Sequence, residues 1–289
     1  MYDEYACALH MSIESGGNMK KHGVVLFALF ALFAVVSAGA QAKLKDGFYF
    51  AQDSAYASSG WKEQVVLQVQ GGKIVSANWN GISTNAVLDK KSESAAGRYG
   101  MIKASKLGKE WHEQAAAVEK YLVSTQDTAF SKYTTPEGTT DAIAGASMHV
   151  KGFFELVKAA LAAGPVAKGT YKKDGWFFAK SAAFDKSGYM TTALLTIVNG
   201  RIVDANWNGL YKDGGDSKYV RAVKGTYKMN AKEGEWNVQS ARVEAALIKQ
   251  QDPAKIAIKA DGKTDAISGV SISINDFIAV AAEALKAAK

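Results

Sequence analysis

The sequence predicts an α+β fold: two tandem homologous domains, each an antiparallel sheet packed with helices. Three observations predict it. The chain repeats itself at a near-constant offset over most of its length. Each repeat opens with apolar residues alternating at strand spacing around a Gly-rich turn. Each closes with segments whose apolar residues recur at helical spacing.

The repeat is read directly from paired segments. Residues 45–51, Lys-Asp-Gly-Phe-Tyr-Phe-Ala, match residues 173–179, Lys-Asp-Gly-Trp-Phe-Phe-Ala, at an offset of 128. Residues 72–81 and 200–209 keep that offset and both end in Ala-Asn-Trp-Asn-Gly. Tyr99 and Met101 match Tyr227 and Met229. Further on, Trp111, Val118, Glu119 and Leu122 match Trp236, Val243, Glu244 and Leu247 at an offset of 125. Small deletions between elements explain the change, as loops tolerate them. The expected organisation is an N-terminal extension and leader over 1–42, one domain over 43–164 and a second over 166–289, joined at Ala162-Ala163-Gly164-Pro165.

Element by element, an Asp-Gly-aromatic strand opens each repeat. Residues 60–69 alternate, with Val65, Leu67 and Val69 on one face. Gln70-Gly71-Gly72-Lys73 and Val198-Asn199-Gly200-Arg201 read as hairpin turns, and residues 73–80 as the return strand. Residues 111–125 carry Trp111, Ala115, Val118 and Leu122 at helical spacing. A loop through Pro136-Glu137-Gly138 precedes a second helix over 150–163, with Phe153, Phe154, Val157 and Leu161 on one stripe. In the second repeat that stripe is Ile274, Phe277, Ile278, Ala281 and Leu285.

Composition narrows the function. Apolar residues make up 48% and charged residues 22% of the chain, which is globular rather than disordered. Lys20 and Lys21, the apolar run 24–36 and the small residues 37–42 have the layout of a secretory signal peptide. Read so, Met19 is the better start and the protein is exported, to the periplasm or the cell surface. An uncleaved N-terminal anchor is the other reading of the run. Cys7 is the single cysteine, so residues beyond the leader can form no disulfide, thiolate metal site or Cys-x-x-Cys-His haem attachment. Without residues 1–42 the chain keeps 33 basic and 25 acidic residues. No dense Lys/Arg block marks a nucleic-acid partner, and the charge reads as solubility and attraction to anions. The motifs of hydrolases, zinc proteases, P-loop enzymes and dinucleotide-binding enzymes are absent. All four histidines lie at or before His149, so no histidine-based site is shared by the repeats. Catalysis is unsupported by these residues.

The feature that asks for a function is the duplicated Thr-Asp-Ala-Ile-x-Gly-x-Ser. It occurs as Thr140, Asp141, Gly145, Ala146 and Ser147, and again as Thr264, Asp265, Gly269, Val270 and Ser271. Each copy precedes a helical pattern, so the serine is expected where helix N–H groups and the positive helix end favour a phosphate. Gly145 and Gly269 can take backbone angles closed to other residues. A bare turn and helix cap accounts equally for one copy alone.

The Asp-Gly-aromatic strand, the Gly-Lys-Ile-Val hairpin and the Asp-x-x-x-Gly-Ala-Ser motif before a helix together resemble the bacterial FMN-binding domain family. The likeness covers both repeats. It implies a tandem, exported electron-transfer protein with two FMN groups joined by phosphoester bonds to Ser147 and Ser271. It assigns Asp141 and Asp265 as motif acids and Gly145 and Gly269 to close backbone approach, with Thr140, Thr264, Ala146 and Val270 beside them. The implied partners are a separate flavin transferase using FAD and magnesium, a membrane electron donor, and an extracytosolic reductase or terminal acceptor. The chain departs from the pattern in using serine at both acceptor positions, Ala144 for a hydroxyl residue and Val270 for the small alanine. Non-covalent FMN binding or storage, and a non-flavin surface scaffold, stay open on the same residues. Asn78-Trp79-Asn80-Gly81 and its copy at 206–209 read as a strand ending in an Asn-Gly turn with a core tryptophan, or as a flavin wall. Trp111 and Trp236 read as core residues.

Overall fold

Alternation of apolar and polar residues forms the same sheet twice. β1 (Gly47–Gln52), β2 (Trp61–Gln70) and β3 (Lys73–Ser83) pair antiparallel in chain order. β4 (Gly175–Lys180), β5 (Tyr189–Val198) and β6 (Arg201–Tyr211) repeat the arrangement. The fold is therefore α+β, described by a computed structural model over residues 43–289. The leader expected over 1–42 lies outside the described residues. The β2–β3 and β5–β6 turns need left-handed backbone at both central positions, and Gly71-Gly72 and Asn199-Gly200 supply it. A register shift falls at the same place in both hairpins, at Gln68/Val69 and Thr196/Ile197.

One face of each sheet carries two helices. α2 (Trp111–Thr125) lies on β3, and α3 (Lys151–Ala163) on β1 and β2. α5 (Trp236–Gln250) lies on β6, and α6 (Asn275–Lys286) on β4 and β5. Val65, Leu67 and Val69 meet Trp111, Val118, Phe153 and Phe154 in a first core cluster. Ala193, Leu195 and Ile197 meet Trp236, Val243, Phe277 and Ala281 in a second. Fully burying each large apolar side chain contributes about 1.5–3 kcal/mol. Leu161 is only half-buried; Leu156 and Ala160 complete the α3 stripe instead.

The two repeats, residues 43–289, belong to one compact unit. The second faces of the sheets turn toward each other. Gln64 there accepts from the Trp176 indole (2.6 Å) and the Thr196 hydroxyl (3.1 Å) and donates to Asp204 (3.0 Å). Among the described residues, no helix is long and apolar enough to cross a membrane.

Two α-helices, and a 3-10 turn at Pro253–Lys255, were not foreseen. Short helices α1 (Lys90–Ala95) and α4 (Lys218–Val223) follow β3 and β6. They account for the Asn-Trp-Asn-Gly stretch, which lies inside the strands and forms no turn. The expected Asn-Gly turn is thus corrected. Asn80 Oδ1 accepts from the Gly81 and Lys91 amides, and Asn208 Oδ1 from the Gly209 and Tyr219 amides. Each asparagine pins the first turn of a short helix to its strand. Trp79 and Trp207 are core residues, 1% and 5% exposed.

Candidate functional site

Each motif runs through a turn, not a helix. The buried Thr140 and Thr264 shape that turn. Their hydroxyls donate to the carbonyls of Lys132 (2.6 Å) and Ala257 (2.7 Å) and accept from the amides of Ala142 and Ala266. Gly145 and Gly269 have φ of +91° and +73°. A Cβ on Gly145 would stand 3.2 Å from the Ala117 Cβ, and one on Gly269 2.9 Å from the Arg242 guanidinium. Glycine is needed there for conformation and for space. Ala146 and Val270 are buried. Asp141 and Asp265 are exposed, and Asp265 pairs with Lys259 at 2.9 Å.

Ser147 and Ser271 are half-buried, and each is held by one glutamine. The Ser147 amide and hydroxyl donate to Gln114 Oε1 at 2.8 and 3.2 Å. The Ser271 amide and hydroxyl donate to Gln239 Oε1 at 2.7 and 3.3 Å. Both glutamines are fully buried in the first turn of α2 or α5. Their amide nitrogens are anchored in turn, on Ser105 Oγ and the Lys109 carbonyl or on the Gly234 carbonyl. Sequence reasoning missed Gln114 and Gln239, although the 125-residue offset pairs them.

One expectation is corrected here. The serines lie three residues ahead of the N-caps Val150 and Ile274, and those caps make no side-chain bond. The helix turn that meets the serine belongs to the preceding helix, α2 or α5.

Each repeat also holds a lysine caged by aromatic rings, placed by the short helix that the asparagine pins. Lys90 Nζ lies 4.3 Å from the Trp111 ring centroid and 5.3 Å from that of Tyr99. It pairs with Glu63 at 2.6 Å, and Glu63 also accepts from the Trp79 indole at 2.7 Å. In the second repeat Lys218 Nζ lies 5.0–5.2 Å from the rings of Tyr189, Tyr227 and Trp236. Thr191 stands where Glu63 does, and Lys218 makes no ion pair among the described residues. Burial holds its pKa below the usual lysine value, against the more distant Asp185 and Asp276. It faces a cavity of about 240 Å³ whose wall includes Ile272 and Ser273, the residues directly after Ser271.

The outer side of the motif differs as well. At the first motif a shallow groove of about 480 Å³ runs past Ala144 and Gly145, with Lys109, Lys120 and Tyr121 along it. At the second, Arg242 occupies that position and donates to the carbonyls of Gly269 and Glu233.

The donor set fits a phosphate-bearing flat ring. Lys109, Lys120 and Tyr121 line the groove at the first motif, Lys218 and its aromatic cage line the cavity that Ile272 and Ser273 border, and both serines are half-buried. The 240 Å³ cavity is smaller than the roughly 300–1,000 Å³ usual for ligand pockets.

No family model matches the chain. No curated protein matches it either. Among solved structures, it is similar to a structural-genomics target from Clostridium thermocellum determined by NMR. The identity is 43%, over 42% of this chain and 92% of that one, with a TM-score of 0.34. It is also similar to a crystal structure from Clostridium perfringens, at 25% identity over 42% of this chain and 88% of that one, with a TM-score of 0.33.

Proposed function

We propose that the chain is an exported electron carrier holding two FMN groups, phosphoester-linked to Ser147 and Ser271. The observation that carries this reading is the duplicated serine. In both repeats it is half-buried and its amide and hydroxyl are held by a buried glutamine. When bound, FMN supplies one- and two-electron transfer.

The chain's own residues do the holding. Gln114 and Gln239 each bind two donors of the serine. Esterification removes the longer hydroxyl bond and leaves the amide bond to keep the loop in place. Lys218, half-buried and without a close ion pair, is the cation that an anionic group would meet in its cavity, with Asp185 and Asp276 on the same wall. Lys109 and Lys120 do the same along the first groove. Tyr227, partly exposed on the cavity wall, offers an aromatic surface for a flat ring. In this reading a separate flavin transferase, using FAD and magnesium, matures the protein. A membrane donor supplies its electrons, and an extracytosolic reductase or terminal acceptor takes them, in the periplasm or at the cell surface.

The test is flavin fluorescence of the denatured band after export beside a flavin transferase. Wild type, Ser147→Ala, Ser271→Ala and the double variant are compared. The expected signal halves in each single variant and vanishes in the double. A dark band from a yellow native protein would replace tethered by untethered FMN. A colourless protein would remove the flavin reading.

A further inference from the structure

A second cavity, of about 600 Å³, lies between the repeats and touches neither motif. The β1–β2 loop of the first repeat forms one wall, through Tyr56; α4 and α5 of the second form the other, through Tyr219, Val223, Ala241 and Glu244. The Tyr56 and Tyr219 rings stand 5.3 Å apart. Val223 is 60% exposed at this wall, an apolar surface with nothing on it.

Two polar groups of the cleft keep unused hydrogen-bonding capacity. The Tyr56 hydroxyl accepts from Asn206 Nδ2 at 2.7 Å, which leaves its own hydrogen free. Glu244 Oε1 accepts from the Trp207 amide at 2.7 Å, and Oε2 has no hydrogen-bond partner among the described residues. The first repeat solves the same position differently. There Lys91 pairs with Glu119 at 2.6 Å; Tyr219 stands at the matching place and brings no charge. The two lysines of the cleft are already paired, Lys62 with Asp204 at 3.2 Å and Lys224 with Asp216 at 2.7 Å. The cleft thus offers aromatic and aliphatic walls, free donors and no uncompensated cation.

We propose that this inter-repeat cleft binds a neutral, flat ring compound with carbonyl acceptors on its edge, seated against Tyr56 and Tyr219 and hydrogen-bonded by Tyr56 and Glu244. The volume falls in the range of about 300–1,000 Å³ usual for such ligands. The site does not rest on the flavin reading, because none of its lining residues belongs to either motif. Burial, above all, pushes the Glu244 carboxyl up to about 8. The Trp207 amide and Lys62 pull it down, and Asp204 adds to the rise. Tyr56 and Tyr219 also face it and are raised by burial. The unpartnered carboxyl oxygen of Glu244 faces the cleft, and burial favours the protonated form that can donate to a carbonyl.

The test is calorimetric titration of the full chain, produced without a flavin transferase, with three bicyclic probes. Coumarin is neutral and carries acceptors only. Indole is neutral and carries a donor only. 2-Naphthoate is anionic. Coumarin is expected to bind, with indole and 2-naphthoate at least about tenfold weaker, a difference of about 1.4 kcal/mol. Coumarin affinity should fall about tenfold from pH 7 to pH 9 as Glu244 loses its proton. Glu244→Gln keeps the donor, and should bind within about threefold of wild type at pH 7 with a flat profile. Ala241→Trp should abolish binding by filling the cleft, with an unchanged circular dichroism spectrum; Val223→Trp serves if that variant does not fold. Equal binding of coumarin and indole, tightest binding of 2-naphthoate, or the same pH profile in wild type and Glu244→Gln would each overturn the proposal.

Discussion

The two repeats share a backbone plan and solve three charged positions in opposite ways. In the first, Glu63 neutralises the caged Lys90, Lys91 neutralises Glu119, and Ala117 leaves the motif open on its outer side. In the second, Thr191 leaves Lys218 unpaired, Tyr219 leaves Glu244 unpaired, and Arg242 closes the motif's outer side. Each lost ion pair comes with a cavity, of about 240 Å³ beside Lys218 and about 600 Å³ beside Glu244. Duplicated folds can therefore diverge by moving charge compensation from a fixed side chain to whatever enters a cavity. Leaving one partner of a buried pair alone is costly, so unpaired groups beside open space mark the second repeat as the less self-sufficient half.

The sharpest way to break the comparison is to exchange the charged position. Glu63→Thr leaves Lys90 unpaired and strands the Trp79 indole N–H. Urea unfolding should show a loss of about 3 kcal/mol or more. Thr191→Glu supplies the missing partner and should change stability by less than about 1 kcal/mol. It should nonetheless lower flavin at Ser271 by filling the cavity, as read by in-gel fluorescence. A Glu63→Thr chain as stable as wild type would mean that the ion pair does not distinguish the cages.

Next in size is the glutamine under each motif. Gln114→Leu or Gln239→Leu leaves the serine amide without its acceptor, at about 1–3 kcal/mol. Flavin should be lost at the matching serine only. Loss at both serines would show that the loops are not independent.

Burial raises both Glu119 and Glu244, and Lys91 offsets part of the rise at Glu119 alone. The Glu244 pKa is raised from an ordinary 4.5 to about 8. Between those values the folded state holds a proton that the unfolded state has lost. This contribution is complete below about pH 4.5, declines as pH rises and is gone above about pH 8. Glu244→Gln should remove the decline and gain at least about 1 kcal/mol at pH 8 over wild type. Tyr219→Lys, which restores the first repeat's solution, should flatten the profile too. Thermal melts from pH 4 to pH 9 read both.

The smallest effect is on stability at the serines themselves. Ser147→Ala and Ser271→Ala each remove a single long hydroxyl bond, of 3.2 or 3.3 Å, and should cost about 0.5–1 kcal/mol or less. The flavin signal should fall by half all the same. A large stability loss would make the serines structural.

Much of this was legible in the chain. Strand alternation at Val65, Leu67 and Val69, helical spacing at Trp111, Ala115, Val118 and Leu122, and the Asn-Gly turn at 199–200 report local geometry, which sequence periodicity encodes. The helix over 111–125 is observed with the expected ends. The Asn-Trp-Asn-Gly stretch misled because Asn-Gly favours turns locally. Its asparagine side chains instead bond the helices that follow, and the strand runs on. The α1 and α4 helices were missed because six residues are too few for apolar periodicity to show.

The sequence by itself determined the duplication, the α+β class, the core-facing residues and the two candidate serines. Each of these follows from spacing along one chain. Only the tertiary structure decided that Gln114 and Gln239 hold the serines, that Lys90 is paired while Lys218 is not, and that Glu244 faces a cleft between repeats. Those facts depend on distances between residues far apart in the chain. Compensation of a charge is a property of what surrounds it in space, and spacing in sequence does not carry that information.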